Sequence, residues 1–160
     1  MASRVVMMCG LSGSGKTTYA ESLVAAGMAR LSIDEYIHAR YGIFGVDYDA
    51  TQWLVYQQEA DAAVRAELVS LMDQEIDVVV DLSFWNRAGR DEYKCLIEAH
   101  GAEWDLVYIK VDPSILPERL AVRARRSDAN AFPVPPEMLA AFIAGFEAPD
   151  GEGERIIEHG

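Results

Sequence analysis

From Gly10 to Thr18 the chain reads GLSGSGKTT, entered from the apolar run RVVMMC (Arg4–Cys9) and left through YAESLVAAG. Gly10, Gly15, Lys16 and Thr17 satisfy the spacing G-x-x-x-x-G-K-[ST] of a loop that cradles phosphates. Such a loop turns successive backbone N–H groups inward, which requires dihedrals that glycine adopts most cheaply. Lys16 then reaches the β- and γ-phosphates and the Thr17 hydroxyl can ligate Mg²⁺. The helix that starts there places its partial positive charge under the anion. A flexible glycine-serine turn is the alternative, and the strand before and helix after the motif weigh against it. Gly10, Ser12, Gly13, Ser14, Gly15, Lys16, Thr17 and Thr18 are therefore the expected phosphate contacts, with ATP and Mg²⁺ as cofactors.

Working outward, four short runs rich in β-branched or bulky residues alternate with helical stretches: RVVMMC, ARLSI, DVVVDL and DLVYIKV. ERIIEH near the end offers a fifth. Nearly continuous apolar strands separated by helices indicate βαβ units around a mostly parallel sheet of about five strands in a three-layer α/β/α fold. Apolar residues at three- and four-residue steps predict a long helix from Asp49 to Met72, opened by a capping box of Asp49 and Gln52. Another helix is expected from Arg87 to His100, stopped by Gly101. Asp112-Pro113 reads as the start of a further helix carrying ERLAVRARR, and SDANAFPVPP as the longest loop.

The 160 residues suit one domain, residues 1–160. A formal charge of −12 argues against tracking a nucleic-acid chain, which depends on clustered lysine and arginine. Cys9 and Cys95 lack disulfide-framework or metal-ligand spacing. No apolar run approaches membrane-spanning length, and a cytoplasmic protein without membrane contact is expected.

Two aspartates and a run of arginines carry further chemistry. Asp34, in LSIDEY, falls at the carboxyl edge of a short strand, where ligands bind in open α/β sheets. There it can take the proton of an attacking hydroxyl or position Mg²⁺ through water, or simply cap the next helix. The strand in DVVVDL ends at Asp81, the natural position for a carboxylate that holds Mg²⁺; it is costly to bury without a partner, and a hydrogen bond to the phosphate loop would also satisfy it. Arg119, Arg123 and Arg126 share one helical face; arginine near a migrating phosphoryl group is worth roughly 10³–10⁵ in rate in P-loop enzymes, and a solvated face that balances the acidic surface is the alternative.

The phosphate loop, the SID strand end, DLSFWNRAGRDEY and RLAVRARR together resemble the small P-loop kinases that include the polynucleotide kinase domain, chloramphenicol phosphotransferase and the zeta-toxin kinases. The resemblance implies a nucleoside-kinase-like P-loop NTPase fold and places Asp34 as the base that activates the acceptor hydroxyl. It also implies an arginine-bearing lid over about residues 119–136, with Arg123 and Arg126 catalytic and Arg119 on the nucleotide. FEAPDGEGERII matches the stretch that lies near the adenine. The acceptor pocket would draw on His38, Arg40, Tyr41, Asp47, Asp49, Trp53 and Tyr56, and on Ser83, Trp85, Asn86, Arg87 and Arg90, although Trp53 and Tyr56 also suit a core. The expected activity is transfer of the γ-phosphoryl group of ATP to a hydroxyl of a small molecule. A polynucleotide 5′-hydroxyl kinase and a regulatory ATPase are the alternatives.

Overall fold

A computed structural model describes residues 3–11, 14–42, 47–82, 84–116 and 136–159. Five strands, β1 (Arg4–Cys9), β2 (Ala29–Leu31), β3 (Val78–Asp81), β4 (Glu103–Val111) and β5 (Arg155–His159), form one sheet in the order β2-β3-β1-β4-β5. Every pairing is parallel. The helices are α1 (Lys16–Ala25), α2 (Ile33–Tyr41), α3 (Ala50–Asp73), α4 (Arg87–Ala99) and α5 (Pro136–Gly145).

Alternation along the central strands divides the core. Val5, Met7, Cys9, Val78 and Val80 face one side, where Val64, Leu68 and Met72 of α3 and Tyr93 and Ile97 of α4 pack on them. Val6, Met8, Val79, Val107 and Ile109 face the other, covered by Ala20 of α1 with Tyr19 and Leu23. Because strands buried on both faces need no polar side, their sequence is almost continuously apolar. The result is the α/β P-loop fold with a helical layer on each side of a parallel sheet.

The topology fixes where a ligand can sit. The chain leaves β1 toward β2 on one side and leaves β3 toward β4 on the other, and right-handed crossovers send α1 and α4 to opposite faces. The carboxyl ends of β1 and β3, which are hydrogen-bonded neighbours with Met8 opposite Asp81, thus border a topological switch point.

Several local expectations are refined. Asp49 caps α3, its carboxylate accepting from the Thr51 N–H at 3.0 Å, and the Thr51 hydroxyl with the Thr51 and Gln52 N–H groups holds that carboxyl below its ordinary value. Gly101, with φ +72°, follows α4 and its cap His100 as expected. After β4 the chain makes a 3₁₀ turn at Pro113–Ile115, held by Asp112 Oδ1 accepting from Ser114 N–H at 3.0 Å. The expected continuation through ERLAVRARR lies outside the described residues. Helix α5, opened by Pro136, was not anticipated from SDANAFPVPP and its sequel. Among the described residues no helix is long and apolar enough to cross a membrane.

Candidate active site

The phosphate loop leaves β1 at Gly10, where a side chain has no room. A Cβ there would stand 2.7 Å from Ser14 Oγ and 3.0 Å from the Ile109 carbonyl oxygen. Gly15 caps α1 with φ +98°, a left-handed conformation that a residue bearing Cβ adopts at a cost. Among the described residues no side chain caps α1, and no acidic residue occupies its first turn, so the positive end of this ten-residue helix is able to receive an anion. Ser14 Oγ is buried, and among the described residues it has no hydrogen-bond partner. Lys16 and Thr17 are buried at the start of α1, and Thr18 is exposed beside them. Ser12 and Gly13 lie outside the described residues.

Asp81 is the hub of the site. Its side chain is 1% exposed and takes four donated hydrogen bonds from three residues. Lys16 Nζ donates to Oδ1 at 3.3 Å and Thr17 Oγ1 to Oδ2 at 3.1 Å. Arg30, from β2, donates Nε and Nη2 to Oδ2 at 3.2 and 2.7 Å. Burial alone would push this carboxyl up, but Lys16, Arg30 and the Thr17 hydroxyl together outweigh it and hold Asp81 below its ordinary value. It stays ionised at neutral pH.

These residues suit a magnesium nucleotide. The buried, unpartnered Ser14 hydroxyl and the uncapped helix terminus are what a phosphate would satisfy. Among the described residues no cluster of three or more His, Cys, Asp or Glu is arranged to hold a metal. Mg²⁺ keeps most of its waters and takes one or two protein oxygens plus substrate phosphates. Thr17 and Asp81 are the two side chains placed to provide those oxygens.

Asp34 is not at a strand end and is not a cap. Strand β2 stops at Leu31, and Ser32 caps α2 by accepting from the Glu35 N–H at 3.2 Å. Asp34 is thereby displaced into the first turn of α2, on an exposed position. Around it α2 and α3 present tyrosines. Burial and then the nearby Asp34 carboxylate push the Tyr48 phenol up, and Tyr48 meets Tyr56 edge-on with ring centroids 5.2 Å apart. Tyr56 in turn stacks on Tyr41 at 3.6 Å, and the Tyr36 and Tyr41 hydroxyls both donate to Glu59. Tyr56 therefore joins the α2–α3 layer rather than the sheet core.

Among the residues after β3, Asn86 caps α4 and Trp85 is 54% exposed. Arg90 is unavailable to an acceptor. It is 0% exposed, with Nε and Nη2 gripping the two Glu152 oxygens at 2.8 and 2.9 Å and Nη1 donating to the Phe84 carbonyl at 2.6 Å. A guanidinium of such planarity is suited to join a carboxylate and a backbone carbonyl from different segments. Ser83, Arg119, Arg123 and Arg126 lie outside the described residues. Arg30 was missed in the sequence, where a charged residue inside the short run ARLSI was its signal.

Residues 5–149 match the AAA_33 family, described as an AAA domain. No curated protein matches the sequence. Several solved structures share the fold. A protein from Chloroflexus aurantiacus j-10-fl, described as a presumptive kinase, aligns with a TM-score of 0.79 at 13% identity over 99% of this chain and 89% of its own. Chaetomium thermophilum Kti12, in complex with ADP-AlF3, aligns at 0.71 and 16% identity over 96% of this chain and 88% of its own. The Mycobacterium tuberculosis APS kinase CysC, in complex with AMPPNP and APS, aligns at 0.61 and 17% identity over 98% and 88%. At these identities the likeness shows the fold alone, a parallel sheet with helices on both faces.

Proposed function

The chain belongs to this AAA domain family, and from that premise we propose that it is an ATP- and Mg²⁺-dependent kinase that phosphorylates a hydroxyl of a small molecule. The observation that carries the reading is the meeting of Lys16 and Thr17, from the phosphate loop, on the buried carboxylate of Asp81. A lysine, a hydroxyl and a carboxylate at one helix N-terminus are the parts that a phosphoryl-transfer site needs to neutralise and orient a triphosphate.

In this reading the loop amides and Lys16 bind the phosphates, and Lys16 exchanges its long 3.3 Å contact with Asp81 for the anion. Thr17 and Asp81 hold Mg²⁺, which when bound neutralises charge on the phosphates. Asp34, on the first turn of α2, receives the proton of the acceptor hydroxyl. Arg123 and Arg126 complete the charge neutralisation and Arg119 contacts the nucleotide, roles that rest on their sequence alone. The mixture of tyrosines and carboxylates on α2 and α3 supports a small acceptor more than a polyanionic one.

Calorimetry of Mg·ATP binding to Lys16→Met and Thr17→Val, with circular dichroism as the folding control, tests the phosphate site. Both variants should stay folded, since Arg30 still pairs with Asp81, and both should lose most of their nucleotide affinity. Wild-type affinity and turnover in both would refute the reading.

A further inference from the structure

Arg30 occupies an unusual place for its chemistry. Strand β2 has three residues and, among the described residues, pairs with β3 alone, with Arg30 opposite Val79. The Arg30 side chain is nevertheless only 17% exposed. Its guanidinium spans two parts of the site: Nε and Nη2 hold Asp81 Oδ2, while Nη1 donates to Glu35 Oε1 at 3.3 Å in the first turn of α2, beside Asp34. Removing a charged group from water is expensive, and a buried ion pair is weak evidence of a stabilising purpose, because apolar side chains of similar volume do that work at least as well.

The distribution of donors over Asp81 suggests what the arginine does. Lys16 reaches Oδ1, whereas Thr17 and Arg30 share Oδ2. A lysine that turns to phosphate leaves Asp81, and of the two cations on this carboxylate only Arg30 then remains. Its planar fork fixes the direction of Oδ2, which a point charge on a flexible stem cannot do.

We propose that Arg30 is a positioning residue that couples the two sides of the site, orienting Asp81 toward Mg²⁺ and, through Glu35, fixing the turn of α2 that carries Asp34. This rests on the kinase reading above and names a residue that its motifs do not include. It acts through Asp81 and Glu35 and touches no reacting atom.

The test is an Mg²⁺ titration of the binding of a fluorescent ATP analogue, followed by steady-state kinetics, on wild type, Arg30→Met, Arg30→Lys and Glu35→Gln. Partners that orient a metal-holding carboxylate are typically worth about 10–100-fold in metal affinity. Arg30→Met should therefore raise the Mg²⁺ concentration for half-saturation by about tenfold or more, with binding of the metal-free analogue changed far less. Arg30→Lys keeps a cation at the site and serves if the methionine variant unfolds. It should fall between wild type and Arg30→Met, because it cannot grip Asp81 and Glu35 together. Glu35→Gln should leave the Mg²⁺ half-saturation near wild type and lower kcat without raising the KM for ATP. Folded Arg30 variants with a wild-type Mg²⁺ half-saturation would overturn the inference alone. A wild-type protein whose nucleotide binding ignores Mg²⁺ would overturn the kinase reading and the inference with it.

Discussion

Burying a carboxylate after three valines is costly, and at Asp81 the cost is offset by one lysine, one arginine and one hydroxyl. Asp34 is the opposite case, an exposed carboxylate whose helix is already capped by Ser32. That separation makes Asp34→Asn a clean probe: the cap is untouched while the basic oxygen is removed. Phosphoryl transfer should fall by roughly 10²–10⁴ with ATP affinity retained, as kinetics and calorimetry on the same preparation would show. Near-normal transfer would move the base elsewhere. The two cysteines differ as sharply. Burial pushes the Cys9 thiol up to about 12, whereas Cys95 is exposed. Because the thiolate is the reactive form, native protein at pH 8 should alkylate at Cys95 only, and denatured protein at both, by mass spectrometry. Rapid native modification of Cys9 would contradict its placement against the Phe84 carbonyl.

Between elements, the Arg90–Glu152 pair joins α4 to the turn that precedes β5, and Lys94 adds a 2.8 Å bond to the Glu152 carbonyl. Truncating one member leaves the other charge buried, so Arg90→Met should lower unfolding stability by about 3–5 kcal/mol in urea titrations. Arg90→Met combined with Glu152→Met should recover much of the loss. The hydrogen bonds from Arg90 hold Glu152 below its ordinary value of about 4.5 despite burial. The unfolded chain therefore takes up this proton first, and the stability the pair provides at neutral pH is lost as pH falls below about 4.5 toward the native value. In Arg90→Met the decline of stability below that pH should be shallower; an unchanged profile would remove Glu152 from the acid response. This scale also shows what the sequence makes legible. The strands and the ends of α4 follow from contiguous patterns, and the phosphate loop is a local motif. Arg30 and Arg90 find their carboxylates 51 and 62 residues away, so the charge inside ARLSI flags Arg30 without naming its partner, and nothing near Arg90 points to Glu152. Ser32 and Asp34 are both good caps by type, and only the point at which β2 ends decides between them. Helix α5 begins on the last proline of a proline-rich stretch, whose turn character obscured its start.

Over the whole molecule, the formal charge of −12 sets the field that an acceptor meets. A protein that tracks single strands loses affinity with a slope near −0.7 per phosphate contact as salt rises, and an acidic surface makes such contacts scarce. Oligonucleotide binding should thus be weak at physiological salt, and the KM for any 5′-end phosphorylation high; tight, steeply salt-dependent binding would favour a polynucleotide acceptor. The central claim is that the phosphoryl group ends on a small-molecule hydroxyl, and following the label from γ-labelled ATP tests it most directly. Incubated with Mg²⁺ and a panel of metabolites, antibiotics and oligonucleotides, the wild-type protein should move label into an alkaline-stable ester of one small molecule, and Asp34→Asn should not. Label released only as inorganic phosphate, at the same rate with and without every acceptor, would contradict the account.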